Sequence, residues 1–305
     1  MSRVLHTRLP ISAIGFRLDR PMFESARPIV RARRILVAPM LALALLTLSA
    51  GGALGNALAA HDGTATTVPT LTGYDISYPQ CGGAYPRDIA FGVVGVTRGL
   101  AFSANPCLGA GGTGASQLAW AGRNARLYMN TGNPGPKLSS HWPIGQTSPR
   151  ACATASSPGT DTAGCAYDYG WNSAANAYAT AVKAYVSLRW APSGSTRTPV
   201  ANRWWLDVET ANSWRTTVSL NVAALSGAVA YLKSVGAASV GFYSAGTMWT
   251  QITGGTTAFA AYPSWVAGAS TLHGAKANCL RPAFTRGQVV LAQYFSGGFD
   301  ADYPC

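Results

Sequence analysis

Two carboxylates stand two residues apart at the end of an apolar segment of this chain. The segment reads WWLDVET, and its acids are Asp207 and Glu209. The sequence has only 11 acidic residues in 305, and Glu209 is the only glutamate after residue 59. In an extended strand, Trp205, Asp207 and Glu209 share one face while Leu206 and Val208 share the other. Burying two like charges costs several kcal/mol, so we expect the pair to have a chemical function.

Two further acids end strand-like segments near the two ends of the chain. They are Asp75 in GYDISY and Asp300 in GGFDADYP. Because the first and last strands of a closed barrel are neighbours, we expect four carboxylates to meet at one mouth, where barrel enzymes place their catalytic groups. Like charges at short range raise the pKa of one member, which keeps it protonated as a general acid. Asp88 and Asp302 are instead expected to cap turns or helices.

Cleavage of a glycosidic bond requires this set of groups. One carboxyl group protonates the leaving oxygen, and a second carboxylate stabilises the cationic transition state. The acids therefore predict a glycosidase.

The elements that position these acids follow from hydrophobic periodicity. Short apolar runs alternate with helical patterns, which predicts a parallel α/β sheet. Apolar residues at helical spacing predict helices over 116–124, 171–189 and 219–235. Residues 133–170 are rich in Pro, Gly and Ser, and we expect a long loop there that forms one wall of a substrate groove. The predicted strands are 73–78, 91–97, 126–131, 204–209, 239–244, 264–267 and 289–295.

The N-terminal segment has the order of a secretory signal. Arg31, Arg33 and Arg34 precede an uncharged apolar run, and an A-L-A sequence at 57–59 follows it. An uncleaved anchor helix is the alternative, but the strongly apolar part is shorter than the roughly 20 residues that span a membrane. We expect a signal peptide with an N-terminal extension at 1–59, a leader at 60–70 and one barrel domain at 71–305. The protein is then secreted, and the signal segment is its only membrane contact.

Charge limits the class of partner. The net charge of the whole chain is +12, and residues 60–305 retain 15 basic and 9 acidic residues, a net +6. The basic residues are scattered singly, without the patch or stripe that nucleic-acid binding uses, so we expect no nucleic-acid partner. We expect a monomer that acts on a polysaccharide of the cell wall and needs no cofactor.

All six cysteines lie after residue 59, an even number that predicts three disulfides in an exported protein. Six cysteines allow fifteen connectivities, and local pairing is our interpretation. No C-x-x-C motif or Cys/His ligand spacing is present, so no metal site is expected. The expected pairs are Cys81–Cys107, Cys152–Cys165 and Cys279–Cys305.

The order of several motifs resembles family 25 glycoside hydrolases, the lysozyme-type muramidases. GYDISYPQ, LDVE, GFYSA, SWVAGA and LAQYFSGGFDADY occur in that order between residues 73 and 305. The resemblance implies an irregular (β/α) TIM-type barrel with Glu209 as the acid. It implies that Asp207 acts as nucleophile or orients an N-acetyl group of the substrate. Asp75 and Asp300 would be supporting carboxylates, and Tyr128 and Tyr243 would contact sugars.

The sequence departs from that family on the walls of the site. The second predicted strand ends in VTRGL, with Arg98 where the family has an acidic residue, and LYMNTGNPGP lacks the family's His on the third strand. Three disulfides and a long insertion after the third strand are also unusual for the family. We expect Trp142 and Trp171, at the insertion, to stack on sugars, while Trp190, Trp204 and Trp265 pack in the core.

These observations predict a secreted glycosidase that acts on an N-acetylhexosamine-containing, peptidoglycan-like wall polymer. A catalytically inactive glycan-binding protein on the same barrel is the alternative, since the walls of the site have changed. A serine or cysteine hydrolase is disfavoured, because no G-x-S-x-G motif is present and all cysteines are expected to be paired.

Overall fold

The fold is a closed barrel of eight strands. The structure is a computed structural model, and it describes residues 72–152 and 159–305. The strands follow one another round the barrel in sequence order. The first seven run parallel, and the eighth is antiparallel to both of its neighbours. The predicted irregular (β/α) barrel is therefore confirmed. Its strands are β1 Gly73–Ile76, β2 Gly92–Gly95, β3 Arg126–Asn130, β4 Arg203–Asp207, β5 Ser239–Ser244, β6 Ser264–Ala269, β7 Val289–Ser296 and β8 Phe299–Pro304.

Strand β8 was not among the predicted strands. It follows β7 through a two-residue hairpin, in which Gly297 and Gly298 have φ angles of +61° and +87°. Positive φ at both turn residues matches the right-handed twist of an antiparallel pair, which is why Gly-Gly is favoured there. The hairpin reverses the chain, so β8 closes the barrel by pairing with β7 on one edge and β1 on the other.

Five α-helices and one short 3-10 helix, Tyr78–Gln80, accompany the strands in the described residues. Thr162 caps the second α-helix, because its side-chain oxygen accepts a hydrogen bond from the backbone N–H of Cys165 at 3.2 Å. That helix begins eight residues before the predicted start at 171, so the predicted 133–170 loop ends at the cap. The helices are α1 Gln117–Ala121, α2 Ala163–Ser187, α3 Val218–Ser234, α4 Gly246–Thr253 and α5 Leu272–Cys279, of which α4 and α5 were not predicted.

The predicted faces of β4 are confirmed. Trp204 and Leu206 pack with the helices in the main hydrophobic core. Trp205 points the other way and packs with Trp265 inside the barrel. Asp207 is the next residue on the inward face and the last residue of β4, so it lies at the end of the barrel interior.

Helices α2 and α3 pack closely on the outside of β3 and β4. A Cβ atom at Gly170 would lie 1.8 Å from the carbonyl oxygen of Ala224, and one at Gly227 would lie 1.9 Å from that of Tyr167. Only glycine permits this approach of two helix backbones. The contact gives the loops before α2 and α3 a rigid base.

All three expected disulfides are present. Cys81–Cys107, Cys152–Cys165 and Cys279–Cys305 are bonded, with Cα–Cα distances of 5.7, 4.7 and 5.3 Å. The predicted signal peptide at 1–59 and leader at 60–70 lie outside the described residues. Within residues 72–152 and 159–305, no helix has the length and apolar character needed to cross a membrane.

Candidate active site

Four acids meet at one end of the barrel. Asp75 on β1 is the register partner of Asp300 on β8. Asp207 is the last residue of β4, and Glu209 follows two residues later. The negative charge of Asp300 raises the pKa of both Asp75 and Glu209, and the charge of Asp75 raises the pKa of Asp207. The structure thus brings the four predicted carboxylates close together at this end of the barrel.

Asp207 and Glu209 influence each other's pKa. Burial raises the pKa of both carboxyl groups, and the charge of Glu209 raises that of Asp207 further. The interaction of the two side chains raises the pKa of Asp207 and lowers that of Glu209. Because each carboxyl affects the other, their titrations are linked. Asp207 is buried, whereas Glu209 is partly exposed toward the mouth.

An asparagine supports the charge of Asp207. The side-chain amide of Asn130, at the end of β3, donates to Oδ2 of Asp207, which lowers the pKa of that carboxyl. Asn130 is itself oriented by Thr97, whose hydroxyl donates to Oδ1 of Asn130 at 2.8 Å and accepts from its backbone N–H at 2.8 Å. Asn130 is the last residue of β3, and its register partner on the neighbouring strand is Asp207, the last residue of β4.

Asp75 is held in a second chain of hydrogen bonds. The amide nitrogen of Gln293 donates to Oδ2 of Asp75 at 3.0 Å, and the hydroxyl of Tyr243 donates to Oε1 of Gln293 at 2.7 Å. Burial and then the charge of Asp300 raise the pKa of Asp75, and the bond from Gln293 opposes them. Tyr243 therefore contacts the acid cluster through Gln293.

Tyr128 lies inside the barrel beside the same acids. Burial and then the charge of Asp75 raise the pKa of its phenol, so it remains a neutral donor. A Cβ atom at Gly95 would lie 2.7 Å from Cζ of Tyr128, so glycine on β2 makes room for the ring. Tyr128 and Tyr243 both pack on Trp265, at centroid distances of 6.1 and 4.5 Å. Both predicted tyrosines are thus brought to the site, while their role toward sugars stays a prediction.

The structure does not bring the two predicted tryptophans to the mouth. Trp142 is only 5% exposed, its indole N–H donates to the carbonyl of Thr160 at 2.9 Å, and it stacks on Tyr169. It belongs to the small core of the insertion, around Cys152 and Cys165. A buried ring has no free face for a sugar, so the groove interpretation of Trp142 was wrong.

Trp171 lies on α2, where the edge of its ring meets Tyr231 of α3 at 5.2 Å. It is part of the helical layer, so its assignment to the groove was also wrong. An exposed aromatic residue that does stand at the mouth is Phe295, the register partner of Asp300 on the β7–β8 hairpin.

Asp302 is a further correction. We expected a turn or cap residue, but it lies on β8, two residues deeper in the barrel than Asp300, and its side chain is 0% exposed. Burial raises its pKa well above the usual range, and the charge of Asp75 acts in the same direction. Asp88, by contrast, lies in an exposed bend with φ of +54°, as expected of a turn residue.

The sequence contained signals for the supporting residues that were not used. Gln293 is the polar residue in the apolar run VVLAQYF, and strand alternation places it on the inward face with Leu291. Asn130 ends the third strand one residue before the Gly- and Pro-rich loop begins. Both Gln293 and Asn130 are polar residues within or at the end of an otherwise apolar strand.

No cation neutralises the four acids among the described residues. The ion pair seen there joins Arg215 to Asp161, away from the cluster. Arg98, at the position where the second strand was expected to differ, is exposed just beyond β2. Buried carboxylates with a structural role are normally paired. The unpaired cluster therefore has the features of a site that uses its carboxyl groups in acid–base chemistry.

A barrel with this cluster at its mouth defines a candidate carboxylate glycosidase, and a match to one family of known proteins agrees with that class. The sequence model of the family "Lysozyme-like protein 1" matches residues 192–277. This stretch contains β4 with Asp207 and Glu209, and it confirms the lysozyme-type resemblance there. No curated protein matches the chain.

Solved structures give weaker matches. A muramidase from Trichobolus zukalii is 19% identical and covers 77% of this chain and 93% of its own, with a TM-score of 0.43. A bacterial lysozyme from Streptomyces coelicolor is 17% identical and covers 76% and 91%, also with a TM-score of 0.43. A muramidase from Acremonium alcalophilum is 17% identical, with coverages of 77% and 93% and the same TM-score. At these values the matches carry no argument about activity.

Proposed function

We propose that the protein is a secreted glycoside hydrolase that cleaves an N-acetylhexosamine-containing polysaccharide of the cell wall. The observation that carries the proposal is the pair Asp207–Glu209, close to Asp75 and Asp300 and without a neutralising cation among the described residues. The match to the lysozyme-like family supports glycosidase activity. The wall polymer as substrate rests on that match and on the motif resemblance.

The two carboxyls of the pair take different roles because their surroundings differ. Glu209 is partly exposed toward the mouth, so its proton can reach the oxygen of a bound glycosidic bond. Asp207 is buried below it, which raises its pKa together with the charges of Glu209 and Asp75, and the hydrogen bond from Asn130 opposes them by favouring the charged form. As the glycosidic bond breaks and positive charge develops on the sugar, Glu209 gives its proton to the leaving oxygen. Asp207 becomes the carboxylate that stabilises the cation, as nucleophile or as partner of the substrate's N-acetyl group.

Burial, and with it the charges of Asp75 and Asp300, raises the pKa of the two carboxyl groups of the pair. Asp300 raises the pKa of Glu209, which allows the acid to remain protonated to higher pH than an exposed glutamate. Asp75 raises the pKa of Asp207 from the other side. Activity is expected to fall as the pH rises through the pKa of the acid, because its proton is then lost.

Glu209→Gln tests the proposal. Glutamine keeps the size and most hydrogen bonding of glutamate, so folding and glycan binding should persist. General acid catalysis contributes about 10²–10⁴-fold, and we expect a loss of this size in release of reducing ends from purified wall. The fall of activity with rising pH should also disappear. Asp88→Asn, a change in an exposed turn, is the matched control and should keep full activity.

The outcomes separate the two functions considered. If Glu209→Gln retains most of the wild-type rate, the acid must be another carboxyl and the mechanism is wrong. If the wild-type protein binds wall but releases no reducing ends from peptidoglycan, chitin or other wall glycans, the protein is a glycan-binding module on the same barrel.

A further inference from the structure

The charges of this protein are divided between the two ends of the barrel. The four acids of the candidate site lie at the mouth, where the parallel strands end. The loops at the opposite end, which lead into the strands, carry one acid among the described residues, Asp88, and it is exposed. Those loops and the first residues of β3 and β4 hold eight arginines, here called the arginine face: Arg87, Arg123, Arg126, Arg189, Arg197, Arg203, Arg281 and Arg286.

Two arginines of the face lie side by side. Arg126 is the first residue of β3 and Arg203 is the first residue of β4, and these strands pair in parallel register. Burial and then the charge of Arg203 lower the pKa of Arg126 to about 10. A third member, Arg123, donates from Nη2 to the carbonyl oxygen of Trp190 at 2.9 Å, and Trp190 directly follows Arg189 in the chain. The fold therefore gathers basic residues that are scattered singly in the sequence.

The charges of the arginine face are not neutralised within the part of the chain that the structure describes. The ion pair seen there joins Arg215 to Asp161, and neither residue belongs to the face. Asp302 lies inside the barrel and favours the charged form of Arg126, but burial raises the pKa of Asp302 itself well above the usual range. Like charges held close together repel, and this repulsion lowers the stability of the folded chain. A bound polyanion would remove the repulsion.

The residue type indicates what kind of anion the face recognises. The four lysines of the described residues lie elsewhere, on the loop after β3 and on α2, α3 and α5. A guanidinium is planar and has five N–H donors, so it binds phosphate or carboxylate through two parallel hydrogen bonds. Arg123 and Arg197 each use a donor on a backbone carbonyl, that of Trp190 at 2.9 Å and that of Val235 at 3.2 Å. These bonds hold both groups in place while the remaining donors stay available, which reduces the entropic cost of binding.

We propose that the arginine face binds an anionic polymer, one that carries phosphate or carboxylate groups at intervals along its chain. The arginines suit a polymer better than a small anion, because they are spread over the entrances to β2, β3, β4 and β7. The face and the mouth are at opposite ends of the barrel, so a polymer on the face leaves the mouth open to substrate. The inference does not depend on the proposed function. Where that function holds, the polymer belongs to the same wall, and binding it keeps the enzyme close to its substrate.

A nucleic acid has the same phosphate chemistry but fits the face less well. Proteins bind single strands by stacking the bases on exposed aromatic rings. The large exposed aromatic residues among the described ones are Tyr78, after β1, and Phe295, on the β7–β8 hairpin, and both lie at the mouth end. Duplex DNA is recognised by a helix or a β-ribbon in its major groove, whereas the face consists of loops and strand starts. A polymer without bases is therefore the partner that the face favours.

The test measures binding to polymers that contain no glycosidic bond, so its outcome is separate from that of the hydrolase test. Arg189→Gln with Arg203→Gln removes two exposed charges of the face. Titration calorimetry should show about tenfold weaker binding of linear polyphosphate or of polyglutamate at low salt, because two exposed ion pairs are lost. The slope of log K against log salt should become shallower by about two units. Arg98→Gln with Arg150→Gln, which removes two exposed arginines from loops at the mouth end, is the charge-matched control and should bind within about twofold of the wild type.

The polymer that binds more tightly identifies the anion as phosphate or carboxylate. Urea unfolding checks that the variants are folded, and if the first double variant is not, Arg281→Gln with Arg286→Gln tests the same face from the side of β7. Equal losses in the face variant and the mouth variant would show diffuse attraction by the whole surface, and unchanged binding by both would remove the arginines from the contact. Either result overturns the proposal, as does a wild-type protein that binds neither polymer at low salt or binds duplex DNA more tightly than both. In each of these cases, release of reducing ends still decides the proposed function.

Discussion

Asp302 provides a test of the charge state inside the barrel. Its side chain is 0% exposed, and neither carboxyl oxygen has a hydrogen-bond partner among the described residues. Burial raises its pKa most, and Asp75 and Asp300 add to the effect. Arg126 and the indole N–H of Trp265 lower the pKa, although the indole makes no hydrogen bond of ordinary geometry. Because burial dominates, we expect Asp302 to be protonated in the native protein near neutral pH.

Holding this proton has a cost that depends on pH. In the unfolded chain an aspartate has a pKa of about 3.9, so it releases the proton above that pH. A carboxyl whose pKa is raised by folding leaves stability unchanged below the unfolded pKa and lowers it progressively as the pH rises above. At about 1.4 kcal/mol for each pH unit, the cost at pH 7 is at most about 4 kcal/mol.

Asp302→Asn removes the titrating group and keeps a neutral side chain of similar size. We expect the free energy of unfolding to exceed that of the wild type at pH 7, by at most about 4 kcal/mol, and the difference to shrink as the pH falls to 4. Urea unfolding with intact disulfides, followed by tryptophan fluorescence at pH 4, 5.5 and 7, measures this difference. Asp88→Asn, on the surface, should show no such dependence on pH. If Asp302→Asn is less stable than the wild type at pH 7, Asp302 is ionised and held by Arg126, and the reasoning is wrong.

Two further predictions concern the supports of the site. Asn130→Ala removes the hydrogen bond that favours ionised Asp207, so the pKa of the pair should rise and the acidic limb of the pH profile of kcat/KM should move to higher pH; an unchanged profile would mean that Asn130 does not support the charge. Cys152→Ala with Cys165→Ala opens a loop whose ends are 13 residues apart, and urea unfolding should show a loss of up to about 3 kcal/mol. No measurable loss would mean that the bond adds nothing to the core around Trp142.

The sequence was sufficient to predict the barrel and its parallel strands because the inward and outward faces differ in composition. On β4, Trp205 and Asp207 face the interior while Trp204 and Leu206 face the helices, and period-two alternation shows this directly. The local disulfides could be paired because short loops between cysteines cost little entropy to close. The start of α2 was missed because its first turns are rich in Gly and Ala, which give no hydrophobic stripe, while the cap at Thr162 was not considered.

Strand β8 was missed although its turn was visible in the sequence. Gly297-Gly298 lies between two runs of strand-forming residues, a strong hairpin signal. Once the segment is treated as a strand, alternation places Asp300 and Asp302 on the same face. Asp302 would then have been predicted inside the barrel, below Asp300, instead of in a turn.

The positions of the acids could be predicted from the sequence, whereas the surroundings of Trp142 and Trp171 could not. The free energy of burial explains the difference. A carboxylate in an apolar strand costs several kcal/mol unless it is paired or used, so the types and spacing of Asp207 and Glu209 are informative by themselves. A tryptophan gains free energy on burial, so its presence in a loop fits a local core as well as a groove. Trp142 is buried because it packs on Tyr169 and on the nearby disulfide in a local core. Exposed ring faces at the mouth therefore have to be identified from the structure, where Phe295 provides one.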